Sequence, residues 1–113
     1  MAKILSVSYD EVLLTTRQQI LEKRGDNVTS ACGFQYALQL CDSNTEFDLF
    51  IVGHSIPHEE KETLVGHFVA KRPAARVIAL KRMGEKQVQG ASLLVEPNPT
   101  ELLSAVRKLS ATA

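Results

Sequence analysis

The sequence predicts an α/β fold, a parallel sheet with helices on both faces. Three observations carry that expectation. Short apolar runs alternate with amphipathic stripes along the whole chain, giving five strand–helix units. The run "DLFIV" (48–52) reads as a fully apolar strand, as a central strand covered on both faces requires. The 113 residues suit one domain and one core without disulfide staples.

Each element can be justified in turn. "KILSVS" (3–8) reads as the first strand. Residues 11–24 follow as a helix, with Leu13, Leu14, Ile20 and Leu21 on one face and Gly25 as its stop. "NVTSA" (27–31) is a more polar strand that suits a sheet edge. Phe34, Ala37, Leu38 and Cys41 then form a helical stripe. After "DLFIV" comes a helix over 58–72, with Glu59, Glu60 and Glu62 at its start and Lys71 and Arg72 at its end, complementing the helix dipole. Its core face is Leu64, Val65, Phe68 and Val69, and Pro73 stops it. "ARVIAL" (75–80) is the fourth strand and "SLLVE" (92–96) the fifth. The last helix covers 98–109. Asn98 caps it, Pro99 takes its first turn, and Glu101 completes a capping box. Leu102, Leu103, Val106 and Leu109 face the core.

Composition excludes several classes. Thirteen basic and thirteen acidic residues balance to a formal charge of zero, which argues against nucleic acid or an anionic membrane as the main partner. No apolar run approaches a membrane span, and the N-terminus has no signal-peptide cleavage pattern. Two cysteines, Cys32 and Cys41, are too few for a disulfide scaffold, so a reducing cytoplasmic location is the default.

The stretch "FDLFIVGHSIP" (47–57) raises the functional question. The last residue of a buried strand points at the usual ligand crevice of an α/β sheet. Here that residue is Gly53, which has no side chain.

The order and spacing of these segments resemble a response-regulator receiver domain, the CheY-like, flavodoxin-like module of two-component signalling, across residues 3–109. "DLFIVGHSIP" resembles the family's third strand and loop, usually Asp-Leu-x-x-x-Asp-x-x-x-Pro. "RVIALKR", "GASLLVEP" and "PTELLSAVRKL" resemble its fourth strand, fifth strand and last helix. The resemblance implies a doubly wound five-stranded sheet of order 2-1-3-4-5.

It also implies phosphoryl transfer to an aspartate, and each active position departs from what that chemistry needs. The nucleophile's position holds Gly53. The acidic pair for Mg²⁺ is replaced by Ser8 and Tyr9, with Asp10 one step late. Lys81 stands for the hydroxyl residue, and Glu96 for the lysine that offsets phosphoryl charge. The switch aromatic corresponds to Leu93. Only eight residues, "RMGEKQVQ", separate Lys81 from Gly90. That is too few for the family's three-turn fourth helix, so this helix is expected to be shortened or absent. The family's cis Lys-Pro bond implies a cis Glu96–Pro97 bond here. Lys81 and Glu96, complementary charges on neighbouring strands, either pair across the sheet top or are solvated separately.

Plainer roles cover the remaining candidates. Capping accounts for Ser8, Asp10 and Glu11 better than metal binding does. His54, His58 and His67 read as solvated histidines, and the two cysteines as reduced thiols. A His54/Ser55 nucleophile pair is discounted because adjacent side chains diverge. No catalytic residue, metal or cofactor is implied.

The expected function is a pseudo-receiver that is not phosphorylated and acts by contact with a protein partner or by self-association. Alternatively, the sequence is a fragment of a longer chain. A second reading, from another class, is a small-molecule or anion binder using the crevice near Ser8, Gly53, His54 and Lys81.

Overall fold

The computed structural model describes residues 2–43, 46–82, 84, 85, 88 and 90–111. The elements run β1 (Lys3–Ser8), α1 (Glu11–Lys23), β2 (Asn27–Cys32), α2 (Phe34–Cys41), β3 (Leu49–Val52), α3 (His58–Lys71), β4 (Arg76–Leu80), β5 (Leu93–Val95) and α4 (Pro99–Ala111). The sheet is parallel throughout, in the order β2-β1-β3-β4-β5. The expected fold class therefore holds.

Alternation along the strands sends side chains to two cores. Leu5, Val7, Phe50, Val52, Val77 and Ala79 pack with residues of α2 and α3. Phe50 stacks on Phe68 with ring centroids 4.2 Å apart. Ile4, Leu49, Ile51, Ile78 and Leu80 form the other core with Leu21 of α1 and with Leu102, Ala105, Val106 and Leu109 of α4. Both faces of β3 are covered, and all four of its residues are buried.

The helix ends follow the sequence with some corrections. Asp10 caps α1, its carboxylate accepting from the Val12 and Leu13 N–H groups. Asn98 caps α4 by accepting from the Glu101 N–H at 2.8 Å. The reciprocal half of that capping box is missing, because the Asn98 N–H donates to the Glu96 carbonyl at 2.9 Å. That bond closes a three-residue turn around Pro97. It directs the chain into α4 with an ordinary trans bond, so the expected cis Glu96–Pro97 bond is not present.

Two helix faces differ from expectation. Val69 is exposed, at the edge of the α3 stripe, and Lys61 is buried on that stripe at 2% exposure. On α1, Leu13 and Ile20 are half-buried, while Arg17 is buried between Leu14 and Leu21.

Between β4 and β5, the described residues Lys81, Arg82, Gly84, Glu85, Val88 and Gly90 are turn, bend or irregular, and none is helical. Residues 83, 86, 87 and 89 of this segment lie outside the described residues. Among the described residues, no helix is long and apolar enough to cross a membrane.

Candidate functional site

At the C-terminal ends of β1, β3 and β4 stand Ser8, Gly53, His54 and Lys81, and beside them three residues that the sequence reading did not single out: Arg17, Lys61 and Arg82. Gly53 continues β3 by donating its N–H to the Val7 carbonyl at 2.8 Å. A Cβ on it would lie 2.9 Å from that carbonyl oxygen, 3.1 Å from Arg17 Nη1 and 3.2 Å from the Ser8 Cβ. The ground above Gly53 is therefore closed by backbone on one side and held by a guanidinium on the other.

Arg17 reaches this place because α1 aims it down into the crevice. It is 6% exposed, and Nη1 has no hydrogen-bond partner among the described residues. Its Nη2 lies 3.4 Å from His54 Nδ1. Burial lowers the Arg17 pKa, and Asp10 nearby raises it in part. On the other side of the imidazole, Arg82 Nη2 lies 3.2 Å from Nε2. Burial, then Arg82 and Arg17, hold the His54 pKa below 6.5, so the ring is neutral at pH 7. His54 is thus clamped between two guanidiniums rather than solvated.

Lys61 enters from α3. Its Nζ donates to the Leu80 carbonyl at 3.3 Å and lies 3.9 Å from Glu85 Oε2. Burial lowers its pKa, Glu85 opposes that shift, and Lys81 adds to it. Lys81 Nζ donates to the Glu85 carbonyl at 3.0 Å. Lys81 and Glu96 make no ion pair within 4.0 Å, so the pairing considered from sequence does not form. The Glu85 carbonyl accepts from Lys81 instead. Glu85 is the acid of the cluster. The Arg82 N–H bond to its carboxylate lowers its pKa, as do Lys61, His54 and Arg82.

The remaining candidates have local roles. Ser8 Oγ is 2.9 Å from Ser55 Oγ and accepts from the Asp10 N–H. Tyr9 is exposed beside Cys32, Phe34, Tyr36 and Glu60, which line a shallow cleft. Leu93 is half-buried against the core that α4 covers, and Glu96 is exposed. The other histidines are partnered: His58 lies 3.4 Å from Glu62, and His67 2.8 Å from Asp42. The buried Cys41 thiol lies near the His67–Asp42 pair. Burial and Asp42 push its pKa up, which keeps it protonated.

These residues do not fit a Mg²⁺ ion. Ser8 and Tyr9 bring no carboxylate, Gly53 brings no side-chain ligand, and the Asp10 carboxylate is occupied by the cap. A guanidinium faces Gly53.

No family model matches the chain, and no curated protein does. Solved structures do match. A CheY-like response-regulator receiver domain from Methanospirillum hungatei has a TM-score of 0.83 at 26% identity, covering 98% of this chain and 95% of that one. The chain has the CheY-like receiver fold. The response regulator TrrA of Thermotoga maritima, solved in complex with Mg²⁺-BeF, shares that fold with a TM-score of 0.81 at 23% identity, over 96% of this chain and 99% of that one. A complex of the histidine kinase ThkA with TrrA matches with a TM-score of 0.79 at 23% identity, over 96% of this chain and 98% of the matched one. Within the receiver fold, the C-terminal ends of the strands carry a cationic group in this chain: Arg17, Lys61, Lys81 and Arg82 around a neutral His54.

Arg17 and Lys61 carry charge on core stripes, which a reading by residue type passes over. The spacing held the signal. Arg17 is three after Leu14 and four before Leu21, and Lys61 is three before Leu64 and seven before Phe68.

Proposed function

We propose that this protein is a receiver-type module of a two-component signalling system that is not phosphorylated at the usual position and acts by contact with a protein partner. One observation carries the reading. Where the resemblance places the acceptor aspartate stands Gly53, with the Arg17 guanidinium over it. A glycine has no atom to take a phosphoryl group, and a cation there repels Mg²⁺.

The neighbours point to the kind of partner. TrrA is found in complex with a histidine kinase, and the same fold offers this chain the same class of partner. Its signal would come from occupancy of that partner rather than from a phosphorylation switch. The half-buried Leu93 at the switch position fits this, since it packs into the core and has no ring to swing.

Affinity capture from a lysate of the native cells, with and without acetyl phosphate and Mg²⁺, tests the reading. The same partner proteins are expected under both conditions. A partner retained only with the phosphodonor would overturn it.

A further inference from the structure

We propose that Cys41, Asp42 and His67 form a site for one Zn²⁺ ion, bound by the thiolate, a carboxylate oxygen and an imidazole nitrogen. Cys41 is the last residue of α2, Asp42 follows it as the cap, and His67 stands on α3. The helices run back against the parallel strands, so the end of α2 lies at the opposite edge of the sheet from the crevice. One ligand atom from each residue lies within 4.8 Å of the other two. His67 Nε2 and Asp42 Oδ1 are 2.8 Å apart. Around a tetrahedral Zn²⁺, with bonds of about 2.0–2.3 Å, ligand atoms stand about 3.3–3.7 Å apart. The histidine–aspartate pair therefore has to open and the thiol to draw in, by roughly 1 Å. The Asp42 and His67 side chains are 47% and 26% exposed, so both have room to turn. The thiol is buried, and the ion reaches it from the surface between those two side chains.

The donor set selects the ion. Thiolate and imidazole suit Zn²⁺, whereas Mg²⁺ and Ca²⁺ ask for several oxygens. Charge balances as well, since one thiolate and one carboxylate offset a divalent cation. The C-terminal end of α2 adds the negative end of its dipole. That end already draws one cation. Arg72 Nη2 donates to the Cys41 and Ser43 carbonyls, at 3.4 Å and 2.8 Å. Burial and Asp42 hold the Cys41 pKa up, while Arg72 and Lys71 oppose them, so the thiol keeps its proton until a metal arrives. Binding forms one Zn–S, one Zn–N and one Zn–O bond. The thiol proton leaves to solvent, and the hydrogen that the imidazole gives to Asp42 moves to the other ring nitrogen. Water takes the fourth position. The ion would tie the end of α2 to α3. None of these residues belongs to the crevice, so failure of the proposal would leave the receiver reading standing.

The test is a titration of the full chain with Co²⁺, which takes the place of Zn²⁺ at N/S sites and reports thiolate ligation as a charge-transfer band in the near ultraviolet. Cys32→Ser serves as the background, because Cys32 is the exposed thiol. A saturable band at one ion per chain is expected, removed by Zn²⁺ and untouched by excess Mg²⁺. In that background Cys41→Ala should lose the band. His67→Gln and Asp42→Asn alter surface side chains, and each should weaken cobalt binding at least about tenfold, the least that loss of a supporting group costs a metal site. Should Cys41→Ala fail to fold, these two variants decide. Cobalt held elsewhere, as by His58 and Glu62, gives no thiolate band and so does not imitate the site. No band, a band that never saturates or resists Zn²⁺, or unchanged affinity in any of the three variants would overturn the proposal.

Discussion

Replacing Gly53 by alanine should destabilise the fold by about 1–3 kcal/mol, the usual cost of forcing a group into a filled site. The added Cβ would meet the Val7 carbonyl at 2.9 Å. That oxygen is fixed by its bond from the Gly53 N–H, so the backbone of β1 or β3 has to shift. Gly53→Asp carries the same steric cost, but its carboxylate would meet Arg17 Nη1, which has no partner among the described residues. A charge-assisted hydrogen bond of about 1.5–3 kcal/mol offsets part of the loss, so Gly53→Asp should be the more stable of the two variants. Restoring the acid should not restore phosphorylation, because the guanidinium occupies the carboxylate and no acidic pair holds Mg²⁺. Denaturant unfolding of both variants checks the order of stabilities. An alanine variant as stable as the parent would show that the crevice is more open than the geometry implies.

The second large effect is at Lys61. Its ammonium is buried, its acid partner among the described residues is 3.9 Å away, and its acceptor carbonyl is at 3.3 Å. Weak pairing of this kind does not repay desolvation. Lys61→Met keeps the length and the apolar contacts; it leaves behind the exposed Glu85 and takes from the Leu80 carbonyl only a long bond of 3.3 Å. A gain of about 1 kcal/mol at pH 7 is expected. The pH dependence gives a second signature. The folded-state pKa of Lys61 is lowered from 10.5, so the unfolded chain binds the proton more tightly. The desolvation cost is present in full below the folded pKa. It is relieved as pH rises through that value towards 10.5, so the parent gains stability across this window. In Lys61→Met this contribution should vanish. The difference between the two unfolding curves measured against pH isolates it from other titrating groups, and a constant difference across the window would refute the assignment.

Most of the architecture was legible in the sequence because it rests on period. The apolar runs at β1, β3 and β4 and the stripes at α2 and α4 fixed which elements form. The resemblance supplied the strand order that the structure shows. The weak points were those where a charged residue does a core residue's work. Arg17 and Lys61 sit on buried stripes, so of the cations that line the crevice the sequence pointed only to Lys81. Pairing of Lys81 with Glu96 was one of two options that the neighbouring strands left open, beside separate solvation. It failed because the long Lys81 side chain reaches the Glu85 carbonyl, in a segment whose path no periodicity specified. The Glu96–Pro97 bond follows the local turn, with the Asn98 N–H closing on Glu96, and not the pattern of the resembled family.

On the proposed reading, Gly53 leaves this receiver fold without an acceptor for a phosphoryl group at the usual position. Intact mass spectrometry after incubation with acetyl phosphate and Mg²⁺ addresses it most directly. An unchanged mass is expected at every time point. A species heavier by one phosphoryl group, with the modification mapped to Asp10 or Asp48, would contradict it.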